Sequence, residues 1–169
     1  MRKFLIPLLA LLGLPALPAI GEIPGSYRFE TEADYRSCEP EAREAIEWLL
    51  TTPLDAEHGA EREHTARFFL TWLEGNPDIE VTIDEKTSGL IGPDRSGHLP
   101  CIFVAGYARY ALDHRKSQDR VRATVAGLEA VVDFYERNSG LLVRNPTLDG
   151  YRKMIDGGTF EKFVRKQLK

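Results

Sequence analysis

Cysteine is scarce in this sequence. The 169 residues include only Cys38 and Cys101, which form no Cys-x-x-Cys motif. This excludes a disulfide-rich scaffold, a dithiol redox motif and a four-cysteine zinc site. A single bridge between the two cysteines remains compatible with this count.

Several enzyme signatures and an excess of basic charge are also absent. The chain has no Gly-rich phosphate-binding loop, no Gly-x-Ser-x-Gly nucleophile motif and no His-Glu-x-x-His zinc motif. It has 22 lysines and arginines against 26 aspartates and glutamates, a net charge of -4. An acidic protein repels the phosphates of nucleic acid, so we expect no nucleic-acid partner.

Long hydrophobic runs are missing apart from one near the start. Arg2 and Lys3 precede an apolar run over residues 4–17, which two prolines interrupt and small residues follow. This order is typical of a secretory signal peptide, and the run is shorter than the roughly 20 residues of a membrane span. We therefore expect residues 1–21 to be a signal peptide cleaved before Glu22. The mature protein would be periplasmic or secreted, without stable membrane insertion.

No Asn-x-Ser/Thr acceptor for N-glycosylation is present, which favours a bacterial source for this exported chain.

Hydrophobic periodicity predicts helices through most of the mature chain. A polar lead over 22–37 is followed by one helical domain over 38–169, in which apolar residues recur at helical spacing between turn signals. The expected fold class is all-α, a single-domain bundle of five to six helices. The predicted helices cover residues 40–52, 59–74 and 98–114, then one capped by Ser117 that ends near Asn138, a short one from Thr147 and a last one from Thr159.

The connection between the second and third predicted helices is long. Residues 79–83 alternate apolar and polar side chains, as a short strand would, and a loop rich in Gly, Ser, Asp and Pro continues to Leu99. Long connections in compact domains are commonly functional or disordered, so this segment is a candidate for function.

The predicted helix over 98–114 is apolar on almost every side, which indicates a central, buried position. Phe103, Tyr107 and Tyr110 form an aromatic stripe along it. Such a stripe can line a ligand pocket, but it belongs to the core far more often, and we expect the core here. Gly106 would let another backbone approach closely.

Five segments of the chain, taken in order, resemble a family of uncharacterised exported helical proteins from Bacteroidota and other bacteria. They are WLLTTP, FFLTWLEGNP, GYARYAL, AGLEAVVDFY and GTFEKFV. The similarity spans most of the mature chain and rests on packing residues and turns. It implies an all-helical fold and no particular activity or catalytic residue.

Cys101 lies in the stretch HLPCIFVAGYARYALDH and has three possible roles. It could form a disulfide with Cys38, remain a buried free thiol, or act as a nucleophile with His98 as its base. Its side of the helix also carries Ala105 and Leu112, which describes a core rather than a cleft. We therefore expect a structural cysteine whose thiol pKa is raised by burial.

The stretch EHGAEREH spaces His58, Glu61 and His64 three residues apart, so that a helix would bring them to one side, as a metal site requires. Metal sites in helical bundles use two Glu-x-x-His pairs, and the sequence contains no second pair. Acidic residues in the first turn of a helix are also expected from the helix dipole alone. A solvated helix start is the favoured interpretation, and we expect no cofactor.

The stretch PDRSGHLP brings Arg95, Ser96 and His98 to the start of a predicted helix. Free backbone N–H groups there, together with Arg95, would suit a carboxylate or phosphate. The alternative is that Ser96 or His98 caps the helix and Arg95 is solvated.

These patterns favour an exported, non-catalytic helical module that binds another protein or an envelope component. A second hypothesis is a small-molecule or anion binder that uses the 95–99 turn. A third is a small hydrolase or thiol enzyme that uses Cys101 with His98, or a metal held by His58, Glu61 and His64.

Export generates a first prediction. The mature protein should begin at Glu22 or within a few residues of it, because the small residues before Glu22 suit signal peptidase. The intact mass of the protein recovered from the periplasm or medium measures this. A mass that still includes Met1 would contradict it.

Overall fold

The computed structural model describes residues 27–92, 94, 96–114 and 119–169. Every regular element in these ranges is an α-helix and none is a strand, so the predicted all-α class is confirmed. The predicted signal peptide, Arg95 and the predicted cap Ser117 lie outside the described residues. None of the described helices is both long enough and apolar enough to cross a membrane.

The described chain forms eight helices, more than the five to six predicted. They are α1 (Glu32–Ser37), α2 (Glu39–Thr51), α3 (Gly59–Glu74), α4 (Glu85–Ile91), α5 (His98–Asp113), α6 (Arg120–Arg137), α7 (Pro146–Asp156) and α8 (Phe160–Gln167). The additional helices are α1, in the predicted polar lead, and α4, in the predicted long loop. The other six correspond to the six predicted helices.

Local capping explains both additional helices. The Thr31 side chain accepts a hydrogen bond from the Asp34 backbone, and the Asp34 carboxylate accepts one from the Thr31 backbone, which is a capping box. The Asp84 carboxylate caps α4 by accepting from the backbone N–H of Thr87 at 2.9 Å. Helices of 6 and 7 residues are too short to show the apolar periodicity that reveals the longer ones.

The strand expected over 79–83 does not form in the described part of the chain. The segment is irregular, and two of its apolar side chains pack against the core instead: Ile79 is buried and Val81 is half-buried, while Ile83 is exposed. A strand requires a ladder partner, and no strand exists in the described ranges to supply one.

Helices α2 and α5 run antiparallel. Arg43, near the start of α2, contacts Asp113 at the end of α5 at 2.9 Å. One turn further along α2, Glu47 lies 3.6 Å from Arg109, one turn earlier in α5. The beginning of α2 therefore lies beside the end of α5.

This orientation explains why Cys38 and Cys101 do not form the disulfide that the sequence allows. Both residues are free thiols. Cys38 precedes α2, toward the end of α5, whereas Cys101 lies in the first turn of α5, about 18 Å away along the helix at 1.5 Å per residue. A bridge requires Cα atoms within about 7 Å of each other.

Helices α5 and α6 approach each other closely at two glycines. A Cβ atom on Gly106 would lie 2.6 Å from the Cβ of Ala130, and one on Gly127 would lie 2.8 Å from the carbonyl oxygen of Phe103. Neither position has room for a side chain. The close approach predicted at Gly106 is thus confirmed, and the backbones of the two helices are in contact.

The aromatic stripe of α5 lies in the core, as predicted. Phe103 and Tyr107 are buried and Tyr110 is half-buried. Trp72 of α3 and Phe134 of α6 are also among the largest fully buried side chains. Helix α5 is therefore the central element that the sequence predicts, and its first two turns border surface clefts.

We expect Gly106→Ala to lower the free energy of unfolding by about 1–3 kcal/mol, the usual cost of overpacking a core. The new methyl group would overlap Ala130 unless α5 and α6 moved apart. Urea denaturation followed by circular dichroism measures the change.

Gly150→Ala is the matched control, because Gly150 lies inside α7 with nothing within 4 Å of the added Cβ. Alanine has the higher helix propensity, so this variant should gain about 0.5–1 kcal/mol. Equal losses in both variants would show that the cost does not come from the α5–α6 contact.

Candidate functional site

A cleft of about 720 Å³ lies between the starts of α3 and α5, the end of α2 and the loop at 141–142. Apolar side chains form most of its wall, among them Leu49, Leu54, Ala66, Leu70, Ile102 and Leu142. Ser96, His98 and Cys101 also line it, so three of the residues singled out in the sequence meet in one place. A second groove of about 710 Å³ adjoins it and shares Leu70.

Arg62 is the residue of this cleft that the sequence analysis missed. It lies in the first turn of α3 and is only 6% exposed. Its guanidinium donates to the backbone carbonyls of Leu49 at 3.2 Å, of Pro53 at 3.3 Å, and of Thr52. The last carbonyls of a helix have no partner within the helix, so Arg62 caps the C-terminal end of α2.

Two aromatic rings hold the Arg62 guanidinium between them. Its Cζ atom lies 5.3 Å from the centroid of a Trp48 ring and 5.4 Å from that of Phe134. A cation over a ring face is attracted to the π electrons, and the attraction is stronger away from water. The charge is thereby fixed in position beside the cleft.

Arg62 has no carboxylate partner among the described residues. Burial lowers the pKa of Arg62, and the negative charge of Asp55 opposes this shift, but an arginine remains protonated at neutral pH. The nearby acids already have partners, because Asp55 contacts His58 at 2.7 Å and Glu63 contacts Arg67 at 2.7 Å. The cleft therefore contains a buried positive charge that forms no ion pair with a described carboxylate.

A pattern in the sequence could have revealed Arg62. It precedes Thr65, Phe69 and Trp72 at helical spacing, and all three are buried. A charged residue on the apolar stripe of a helix must find partners for its N–H groups, which marks it as a structural or functional residue.

The thiol of Cys101 faces the cleft but is not activated there. Burial raises the pKa of Cys101 to about 11, and the opposing effect of the Arg62 charge is smaller. His98 is the first residue of α5, as the predicted bounds of 98–114 imply, and it precedes Cys101 by one turn. No hydrogen bond joins these two described side chains, so His98 is not placed to take the proton of the thiol. The raised pKa agrees with the sequence prediction.

The predicted anion site at 95–99 already contains a carboxylate of this chain. Asp94 accepts hydrogen bonds from the backbone N–H groups of Ser96 and Leu99, both at 2.8 Å, and from the Ser96 hydroxyl at 2.6 Å. The backbone N–H of His98 donates to the Ser96 hydroxyl at 3.3 Å. These are the groups that an external anion would use, so the turn does not favour anion binding. Arg95 itself is outside the described residues.

The N-cap residue of α5 is Gly97, and two side chains that precede it accept from the first turn: Asp94 from the backbone N–H of Leu99 and Ser96 from that of His98. The spacing Asp-x-Ser, in which an aspartate side chain bonds to backbone two residues on, is a turn pattern that the sequence does show.

The structure does not bring the predicted metal ligands together. His58 precedes α3, and its Nδ1 atom contacts the Asp55 carboxylate. Glu61 and His64 are exposed on the first turns of α3. Within the described ranges, no group of three or more His, Cys, Asp or Glu side chains is arranged to hold a metal ion.

In comparisons with known proteins, the sequence matches no protein-family model, no curated protein and no solved structure. The chemistry of the cleft is therefore the basis on which a function can be argued.

The Cys101 pKa generates a prediction about reactivity. In a Cys38→Ser protein, alkylation of Cys101 by iodoacetamide should be slow at neutral pH and rise without a plateau to about pH 10, because only the thiolate reacts. The pKa of about 11 leaves almost all of the thiol protonated over this range. The measurement is mass spectrometry of the labelled protein against time.

N-acetylcysteine under the same conditions is the control for an ordinary thiol, and circular dichroism checks that the fold persists at each pH. Rapid labelling at pH 7 with a plateau near pH 8 would reveal an activated thiolate and contradict the assignment of Cys101 as structural.

Proposed function

We propose that this protein is an exported, non-catalytic binding protein that takes an apolar group of its partner or of an envelope component into the α3–α5 cleft. The observation that carries the proposal is the cleft of about 720 Å³ with a largely apolar wall. Ligand sites in proteins typically measure about 300–1,000 Å³ and are lined mainly by apolar side chains with a few polar groups.

Exposed leucines at the edges of the cleft support this proposal. The large hydrophobic side chains that are exposed in the described part of the chain are Leu70, Ile83, Leu141 and Val143. Leu70 and Leu141 border the cleft, 41% and 66% exposed, and Ile83 borders the adjoining groove. Apolar surface that continues from a cleft onto its rim is common where a partner replaces water, and it supports a binding role here.

The chemistry within the cleft favours binding over catalysis. Its thiol has a raised pKa, and its cation, Arg62, is already engaged with the end of α2. A nucleophile requires a nearby base or a lowered pKa, and neither accompanies Cys101 among the described residues. Thiol or metal chemistry at this site is therefore not part of the proposal.

The predicted signal peptide supports a place for this function in the periplasm or outside the cell. The partner would then be a secreted protein, an envelope protein or an envelope molecule with an apolar part. The acidic net charge makes nucleic acid an unsuitable partner.

The test is the binding of Nile red, a neutral apolar dye, to wild-type protein and to two surface variants. Leu141→Ser should weaken the affinity about three- to tenfold, since a leucine that the bound dye partly covers contributes roughly 1 kcal/mol to the binding free energy. The fluorescence of the dye during titration measures the dissociation constant. Leu141 is exposed, so its replacement should leave the thermal midpoint unchanged.

Val143→Ser is the matched control, because Val143 is 80% exposed in the same loop but does not line the cleft. Its affinity for the dye should equal that of the wild type. The proposal fails if the dye does not bind, or if both variants weaken its binding equally.

A further inference from the structure

We propose that the ligand of the cleft is an amphipathic molecule with a single carboxylate, which binds at Arg62 while its apolar chain lies against α3 toward Leu70. This inference rests on the proposed binding function and names the class of ligand. The arrangement of charge and apolar surface along one helix supports it.

The cleft-facing stripe of α3 changes from a cation to apolar surface. Arg62, Ala66 and Leu70 follow one another at intervals of four residues, and all three line the cleft. At 1.5 Å per residue they span about 12 Å. A ligand that lies along this stripe would meet a positive charge at one end and a half-exposed leucine at the other, which is the pattern of an amphipathic molecule.

Arg62 retains hydrogen-bonding capacity for a ligand. A guanidinium has five N–H groups, and its three hydrogen bonds to the backbone involve two of its nitrogen atoms. No described residue accepts from Nε. Hydrogen bonds between charged groups are about twice as strong as neutral ones and strengthen further away from water. A ligand carboxylate would therefore find a donor and a counter-charge at this end of the cleft.

The other charged groups of the cleft favour a single negative charge. Asp55, which contacts His58, and Glu63, which contacts Arg67, border it. Asp94 lies near His98, and burial together with Arg62 lowers the pKa of His98, so His98 is neutral at pH 7. A single buried cation with two carboxylates at the border of the cleft suits a monoanion and would disfavour a phosphate with two charges.

The experiment compares decanoate with decanol, two probes that share a chain and differ in charge. Isothermal titration calorimetry with the wild-type protein, below the aggregation concentration of each probe, measures both affinities at pH 7.5. We expect decanoate to bind roughly ten- to a hundredfold more tightly, the range that a hydrogen bond to a charged group supplies. Equal affinities would overturn the carboxylate assignment and leave the apolar binding function intact.

A matched pair of variants tests the role of Arg62 without removing it. Ala66→Glu places a carboxylate one helical turn from Arg62, where it would pair with the guanidinium and repel the ligand. Ala66→Gln adds a neutral side chain of the same size. Both side chains fill the same part of the cleft and should weaken both probes, so only the ratio of the decanoate and decanol affinities is compared: it should fall to about one in Ala66→Glu and stay well above one in Ala66→Gln. Persistence in both would show that the preference does not depend on Arg62.

Direct replacement of Arg62 requires a control because Arg62 also caps α2. Arg137 donates to the carbonyl of Leu50 at the same helix end but does not line the cleft. Arg62→Gln should lose the preference for decanoate, whereas Arg137→Gln should retain it. Loss in both would assign the preference to the stability of α2 and overturn the proposal. Failure of both probes to bind the wild type would instead refute the binding function itself.

Discussion

The close contact between α5 and α6 is the constraint on which the rest of the structure depends. Gly106 and Gly127 bring the two backbones together with no space for a side chain between them. One side of α5 is thereby committed to α6, and another packs antiparallel to α2. The first turn of α5 is left at the edge of this arrangement, where it faces the start of α3 across the cleft. The cleft forms there because α5 is fixed on its other sides.

Arg62 connects this framework to the cleft. Its guanidinium satisfies carbonyl groups at the end of α2 and lies between the rings of Trp48 and Phe134. The same interactions hold a positive charge beside an apolar wall, where water cannot screen it well. A residue that stabilises the fold therefore also determines which ligand charge the cleft would accept. This dual role is why the variants at Ala66 and Arg137 are needed to separate stability from recognition.

Much of the fold could be predicted from the sequence because its long helices have strong local signals. Helix α3 begins and ends where apolar spacing and Gly75 indicate, and α5 is as buried as its composition predicts. The short helices α1 and α4 were missed because capping by Thr31 and Asp84, and not periodicity, defines them. The strand expected over 79–83 was wrong because an alternating pattern can also attach an irregular segment to a core.

The sequence by itself determined the helical class, the centrality of α5, the packing role of Gly106 and the candidate residues Ser96, His98 and Cys101. These features depend on interactions between residues a few positions apart, which a linear pattern records. Only the tertiary structure decided that Cys38 and Cys101 lie at opposite ends of α5, that Asp94 occupies the predicted anion site, and that Arg62 and Leu141 join the same cleft. Those outcomes depend on the directions of the helices and on contacts between segments far apart in the chain. The spacing of neighbouring residues carries no information about either.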